Sequence, residues 1–411
     1  MKINPFKPNS PVSPGMFAGR IIEIKAMEKG LFQTKHGQPV NFLVTGERGI
    51  GKSSLINVID PTATGDIKIS GDSVLNFLTV NVQISKNTTL ASLIKLIEQN
   101  LYRKIGQIEK IKAFLEEIWE FASRIKIMDS GISSSQPISD LDLLLDNFTY
   151  SLSKTCLRVT NPGKGETQRD GIVFFIDEAD NACEDLHIGY FFKAVTEQLQ
   201  RCGCNNVMFV VAGLPEVIEK LKNSHESSLR VFSHLKVREL TPDERRYVID
   251  RGIEVGNEKN QEEITITGEA KNYISTLSEG YPHFIQQFAY SAFEFNDDGE
   301  ISAEDASHGA FSPGGALDEI GTRYYHSAYN EQIKTDEYRE VLSIIAENMN
   351  QWIKKKDIRD KFSGADHTVT HALKALTDRK IILKNPSTVG EYRLQQRGFA
   401  LWIKLFGERK K

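Results

Sequence analysis

The densest chemistry in this 411-residue chain lies in one short stretch, Gly46-Glu47-Arg48-Gly49-Ile50-Gly51-Lys52-Ser53. Its spacing is G-x-x-x-x-G-K-[ST], and it stands between a short apolar run, Asn41–Thr45, and a helical one, Lys52–Ile59. The glycines let main-chain N–H groups curl around a phosphate, and the helix N-terminus adds partial positive charge. Lys52 is expected to reach β- and γ-phosphates and the Ser53 hydroxyl to ligate Mg²⁺, with Ser54 completing the phosphate-facing set. The natural partners are Asp177 and Glu178, which follow the continuous apolar run Ile172–Ile176. A buried strand there would deliver Asp177 to the Mg²⁺ shell and Glu178 to an attacking water as general base. Alone, Asp-Glu after an apolar strand is ordinary strand-end polarity; downstream of a phosphate loop it reads as the loop's partner. No N-K-x-D guanine-reading string follows, so ATP is favoured over GTP.

Other chemistries find little support. The four cysteines make no disulfide framework in a chain this long. Cys202 and Cys204 form a lone C-x-C without a second ligand pair, which argues against zinc. No run of eighteen apolar residues exists, so no membrane span is expected. The first residues carry prolines and no apolar stretch, so secretion is not expected and the cytoplasm is the expected location.

The elements that must position the phosphate loop follow from periodicity. Length points to about two to three domains, and an apolar fraction of 40% supplies sizeable cores. Prolines 5, 8, 11 and 14 make 1–15 an extended segment. Phe17–Lys29 reads as a helix with Ile21, Ile22, Ile24 and Met27 apolar, and Lys52–Ile59 as one stopped by Asp60-Pro61. Val74–Val82 reads as a strand and Thr89–Tyr102 as an amphipathic helix. Within 104–170, read as an insertion, Ile108 to Ile125 and Ser139–Lys154 are helical. Tyr190–Arg201 is a helix and Val207–Ala212 a buried strand. Strands alternating with helices predict a parallel sheet flanked by helices over 16–240. Helices at 242–256, 268–278 and 282–295 make 241–313 helical, and Gly299–Gly315 reads as a linker.

The C-terminal part, 314–411, has another pattern. Helices at Asp336–Met349, Lys354–Phe362 and Asp366–Asp378 precede a hairpin of Ile381–Lys384 and Glu391–Gln395, an order that resembles a winged helix. From Trp352 onward 15 Lys/Arg face 6 Asp/Glu, a net of +9, while the preceding residues carry −13. Lys354, Lys355, Lys356, Arg359, Lys374, Arg393 and Arg397 suit phosphate contacts, so DNA is the expected partner of this end. Winged helices also dock proteins, and Asp366 on the third helix speaks against tight base reading.

Together these residues resemble AAA+ ATPases of the origin-recognition and initiator type, and their STAND-like relatives. The likeness runs from about Phe17 to the C-terminus, 104–170 excepted. Phe17-Ala18-Gly19-Arg20-Ile21-Ile22-Glu23 is similar to the F-x-G-R-x-x-E box that lies against adenine in that group, which implies stacking by Phe17 and donation by Arg20. Leu229–Leu235 resembles the segment bearing the arginine finger, which implies that Arg230 serves a neighbouring subunit and that the protein self-associates. The resemblance makes 241–313 a helical lid. Glu279-Gly280-Tyr281-Pro282-His283 resembles the G-x-P motif of STAND-like ATPases, which would put His283 near phosphate. Val207–Ala212 leads into Gly213-Leu214-Pro215 without the polar sensor of the initiators.

The expectation is thus an α/β P-loop NTPase with a helical lid and a C-terminal winged helix. It would bind ATP and Mg²⁺ and hydrolyse slowly. Its nucleotide state would control DNA binding and assembly in replication, transposition or phage defence. The alternative is a STAND-like signalling switch whose winged helix and insertion bind protein partners.

Overall fold

Every residue of the apolar run Ile172–Ile176 is buried, which requires neighbours on both edges and both faces. The computed structural model supplies them. It describes residues 2–10, 16–68, 74–105, 109–123, 140–333, 335–349, 351–379, 381–385 and 388–407. The chain divides into two compact units, one of 11–238 and one formed by 1–10 together with 239–411.

The first unit runs α1 (Ile21–Lys35), β1 (Asn41–Thr45), α2 (Lys52–Thr64), β2 (Leu78–Gln83), α3 (Leu90–Ile105), α4 (Glu109–Ile118), α5 (Glu120–Ser123), α6 (Leu141–Thr160), β3 (Ile172–Asp177), α7 (Ile188–Arg201), β4 (Val207–Gly213), α8 (Val217–Ser224) and β5 (Phe232–Lys236). All five strands are parallel, in the order β2-β3-β4-β1-β5. Alternation along β3 sorts the faces. Ile172, Phe174 and Ile176 join one core with α3, α6 and α7, while Val173 and Phe175 point to the other face. On that face α1 comes so close that a Cβ at Gly30 would lie 2.4 Å from the Phe42 ring.

Several expectations shift. Helix α1 begins at Ile21, so Ile24, Met27 and Leu31 are buried while Ile21 and Ile22 are exposed. Helix α2 continues through Pro61 to Thr64, with Thr62 Oγ1 donating to the Val58 carbonyl at 2.7 Å. It stops at Gly65, whose φ of 85° only glycine adopts cheaply and whose Cβ would meet the Leu75 carbonyl at 2.2 Å. Strand β2 starts four residues later than Val74, at Leu78. The helix expected from Ile108 to Ile125 is broken at Trp119, whose indole N–H donates to Thr155 Oγ1 at 3.0 Å; Ile108 and Ile125 lie outside the described residues. Leu144, Leu145, Phe148 and Leu152 of α6 belong to the main core. Strand β5 was not foreseen, because an edge strand reading Phe-Ser-His-Leu-Lys has no apolar run.

In the second unit α9 (Pro242–Asn257) opens with a capping box between Thr241 and Glu244, and α10 (Gly268–Leu277) follows a short strand, β6 (Thr265–Ile266). Next come α11 (Pro282–Phe295), β7 (Glu300–Ile301), α12 (Ala303–Phe311) and α13 (Ala316–Ile320). The stretch Gly299–Gly315, expected as a linker, therefore contains a helix. Ser302 and Asp305 cap it reciprocally, a local signal that outweighs the flanking Gly and Pro. Residues 2–10 lie along α9 and α11. Gly252 and Gly256 leave room for the Phe6 and Pro5 rings, and the Lys7 N–H donates to Gln286 Oε1 at 2.9 Å.

Two π-helical stretches, Gly321–Tyr325 and Ser327–Gln332, lead to α14 (Asp336–Glu347), β8 (Ile353–Lys354), α15 (Lys355–Lys361), α16 (Asp366–Asp378), β9 (Ile382–Lys384), β10 (Glu391–Leu394) and α17 (Arg397–Phe406). The strands form an antiparallel sheet, β8-β10-β9. Helices α14, α15 and α16 come before or beside this sheet, in the helix-then-hairpin order expected from the sequence. No helix among the described residues is long and apolar enough to cross a membrane.

Candidate functional site

The C-terminal ends of β1 and β3 aim at one place because the parallel sheet points every strand the same way. Gly46 begins the loop after β1; a Cβ there would meet Ile50 Cγ2 at 2.8 Å and the Val237 carbonyl at 2.9 Å. Gly49 and Gly51 have φ of 77° and 99°, so the loop curls left-handed before α2 takes over. Lys52 folds back across it, donating to the carbonyls of Gly46 at 2.8 Å and Glu47 at 2.9 Å. The Ser53 hydroxyl donates to Asp177 Oδ2 at 2.6 Å, so the loop and the β3 carboxylate meet directly. Glu178 follows in a left-handed turn, φ 56°, and accepts from the Asn181 amide at 3.1 Å.

The surroundings of Lys52 are acidic. Burial lowers the Lys52 pKa, opposed by the carboxylates of Asp177, Asp180, Glu47 and Glu216. Asp180 was not among the sequence candidates, yet its Oδ1 accepts from the Leu214 N–H at 2.8 Å, just past the end of β4. A Cβ at Gly213 would press to 3.0 Å on that carboxylate. Asp180 thus brings a polar group to the strand end that the sequence showed as apolar. Only its position three residues after Asp177 hinted at this. Hard oxygen donors at Ser53 and Asp177 beside an acidic surround fit Mg²⁺ accompanying a polyphosphate.

Arg20 is placed differently from a free donor fork. Only 6% exposed, with φ 61°, it donates to the Ile50 carbonyl at 3.0 Å and bridges to Glu23 at 3.8 Å. It buttresses the phosphate loop from below. Phe17 is half-buried before α1, Arg48 is exposed within the loop, and Ser54 is half-buried in the first turn of α2. Arg230 is exposed on a 3₁₀ turn, Ser228–Val231, that leads into β5.

The remaining candidates belong to the second unit. His283 opens α11 and rests against Phe284 and Tyr324, with ring centroids 5.9 and 5.1 Å away. Lys354, Lys356, Arg359 and Lys374 are exposed and Lys355 is half-buried. Arg359 pairs with Asp366 at 3.4 Å. Arg393 lies over the Trp352 ring at 4.8 Å, and Arg397, at the start of α17, is half-buried.

No family model matches the chain. An uncharacterized HTH-type transcriptional regulator of Methanocaldococcus jannaschii is 24% identical over 293 residues, 69% of this chain and 65% of that protein. The match therefore spans less than two thirds of that relative. Among solved structures, the Aeropyrum pernix ORC2 protein, described as its ADPNP–ADP complexes, aligns over 96% of this chain and 94% of its own at 14% identity and a TM-score of 0.50. The Aeropyrum pernix ORC1 protein in complex with DNA aligns over 97% and 94% at 14% identity and a TM-score of 0.46. The likeness to the ORC2 protein is one of fold and takes in both units. The sequence resemblance to origin-recognition AAA+ proteins is thus matched by the architecture.

Proposed function

We propose that this protein is an ATPase whose nucleotide state governs its hold on DNA and its assembly. The observation that carries the reading is the meeting of Ser53 Oγ with Asp177 Oδ2 at 2.6 Å, with Lys52 and Glu178 beside it at the ends of β1 and β3. Main-chain N–H groups of Gly49–Ser53 and the N-terminus of α2 cradle phosphate. Lys52 exchanges the carbonyls of Gly46 and Glu47 for β- and γ-phosphate oxygens. Ser53 and Asp177 would hold Mg²⁺, which supplies charge to offset that developing on the phosphates. Glu178 accepts a proton from the attacking water, and Arg230 of a neighbouring copy stabilises the transferring phosphoryl group.

At the other end, Lys354, Lys355, Lys356, Arg359 and Lys374, with Arg393 and Arg397 on the wing side, neutralise DNA phosphates. The strongly positive end beside an acidic remainder supports a polyanion partner. A DNA-binding titration over salt, with and without ATP, tests the whole reading. Affinity should fall steeply with salt, each neutralised phosphate adding about −0.9 to the log–log slope, and should differ between nucleotide states. Absence of binding at low salt with ATP present would hand the lead to a signalling switch that docks proteins. The Gly280-Tyr281-Pro282 turn supports that second reading.

A further inference from the structure

The turn between α10 and α11 has more built into it than a helix connection needs. Glu279 and Gly280 are both left-handed, φ 52° and 86°, which is unfavourable for a glutamate. One side of the turn is pinned to the start of α9. The Leu240 N–H donates to the Gly280 carbonyl at 2.9 Å, while Arg245 donates from Nε to the Leu240 carbonyl at 2.8 Å and from Nη1 to that of Ser275 at 3.1 Å. Its other side faces the winged helix. The Glu279 carboxylate accepts the Gly398 N–H at 2.9 Å, and that of Arg397, so it caps α17 from outside the module.

Around this contact three buried polar atoms have no hydrogen-bond partner among the described residues: Nε of Arg393, Nε of Arg397 and the hydroxyl of Tyr325. Arg393 comes from β10, Arg397 from α17 and Tyr325 from the π-helical connector. Tyr325 stacks on Phe399 at 4.6 Å, and a Cβ at Gly398 would lie 2.8 Å from its hydroxyl. Trp402 packs so tightly on the connector that a Cβ at Gly321 would overlap it. The neighbouring Tyr324 ring rests on His283. Buried donors left without acceptors are costly, and π-helical turns gather at functional sites. Small movements of the turn would redistribute one carboxylate among several waiting donors.

We infer that Glu279 is a positioning residue, the joint that transmits movement of the α10–α11 turn to α17 and the wing, and so couples the lid to DNA engagement. The coupling to DNA rests on the function proposed above; the joint itself does not. Burial pushes the Glu279 pKa up to about 7, against the lowering by the main-chain N–H groups and by Arg397 and Arg393. Arg245 and Tyr325 also face it; burial lowers the pKa of the first and pushes that of the second well up, so the tyrosine stays neutral. The joint therefore changes charge in the physiological range.

Amide hydrogen exchange of the full chain at pH 6 and pH 8, corrected for intrinsic rates, reads the joint directly. Protection at 397–400 and 321–332 should change about tenfold or more between the two in the native protein and not in Glu279→Gln. Glu279→Ala should expose the start of α17 at both; if it fails to fold, Glu279→Gln, which keeps an acceptor, carries the test. DNA affinity with and without ATP, measured in parallel, should show a nucleotide effect that varies with pH only in the native protein. If Glu279→Gln keeps the native exchange pattern and its pH response, the joint is overturned. A native protein with pH-dependent exchange but no nucleotide effect on DNA would overturn the proposed function and leave the joint standing.

Discussion

The phosphate loop and the Glu279 joint are built on opposite plans. At the loop, Lys52, Ser53, Asp177 and Glu178 all take partners, on strand ends fixed by a buried parallel sheet. At the joint, one carboxylate serves two N–H groups, while two arginine Nε atoms and a tyrosine hydroxyl have no hydrogen-bond partner among the described residues. Full satisfaction gives one stable arrangement; partial satisfaction leaves others close in energy. On the proposed function the first holds a charged ligand in one geometry, and on the proposed joint the second is able to move.

The largest test of this contrast is Lys52→Ala. If the loop is held ready for phosphate, removing its central cation should take ATP affinity below calorimetric detection without unfolding the sheet. Retained affinity would remove the loop from the comparison altogether. Next is Glu178→Gln, expected to keep ATP bound while single-turnover hydrolysis falls by about 10²–10⁴-fold, because an amide cannot take the water's proton. Normal turnover would move the base elsewhere, with Asp180 the first alternative. Arg230→Ala should leave binding intact and lower hydrolysis by ~10³-fold only where the protein assembles. Mixing it with Lys52→Ala should restore some activity at the hybrid interfaces; no recovery with assembly confirmed would make Arg230 structural.

The smallest effect belongs to the joint and is a matter of sign. Glu279 has its carboxyl pKa raised on folding, from 4.5 to about 7, so the folded state holds the proton more tightly than the unfolded one. Its contribution is therefore fully favourable only below about pH 4.5, shrinks as the pH rises toward 7, and is lost above that. Glu279→Gln escapes the cost of a buried charge. Thermal unfolding should show it level with the native protein at pH 5 and higher by a few degrees at pH 8. A lower melting temperature at pH 8 would mean that the charged form is stabilised by Arg393 and Arg397, and the joint would then be as satisfied as the loop.

Much of the loop was legible beforehand because its geometry is local. Consecutive residues decide whether backbone N–H groups can curl, and an apolar run of five decides that a strand is buried. Phe17–Arg20 was expected to lie against adenine, whereas its bond to the loop was not expected: Arg20 reaches Ile50 only because two left-handed residues, Gly19 and Arg20, turn the chain there. Similarly, Gly299–Gly315 read as a linker since glycine and proline counts conceal a capping box.

By itself the sequence determined the α/β core, the glycine-rich loop and the acidic strand end that meets it, the helical region and the basic three-helix-and-hairpin end. Each depends on periodicity or on neighbours in the chain, which hydrophobic burial and main-chain sterics translate into structure one segment at a time. Only the tertiary structure decided that Asp180 closes the end of β4, that β5 forms the sheet edge, and that Phe6 fills the space over Gly252. It alone brought Glu279, Tyr325, Arg393 and Gly398 together. These residues share no period and lie up to 119 positions apart. Their meeting depends on how whole helices pack, a long-range outcome that no local rule carries.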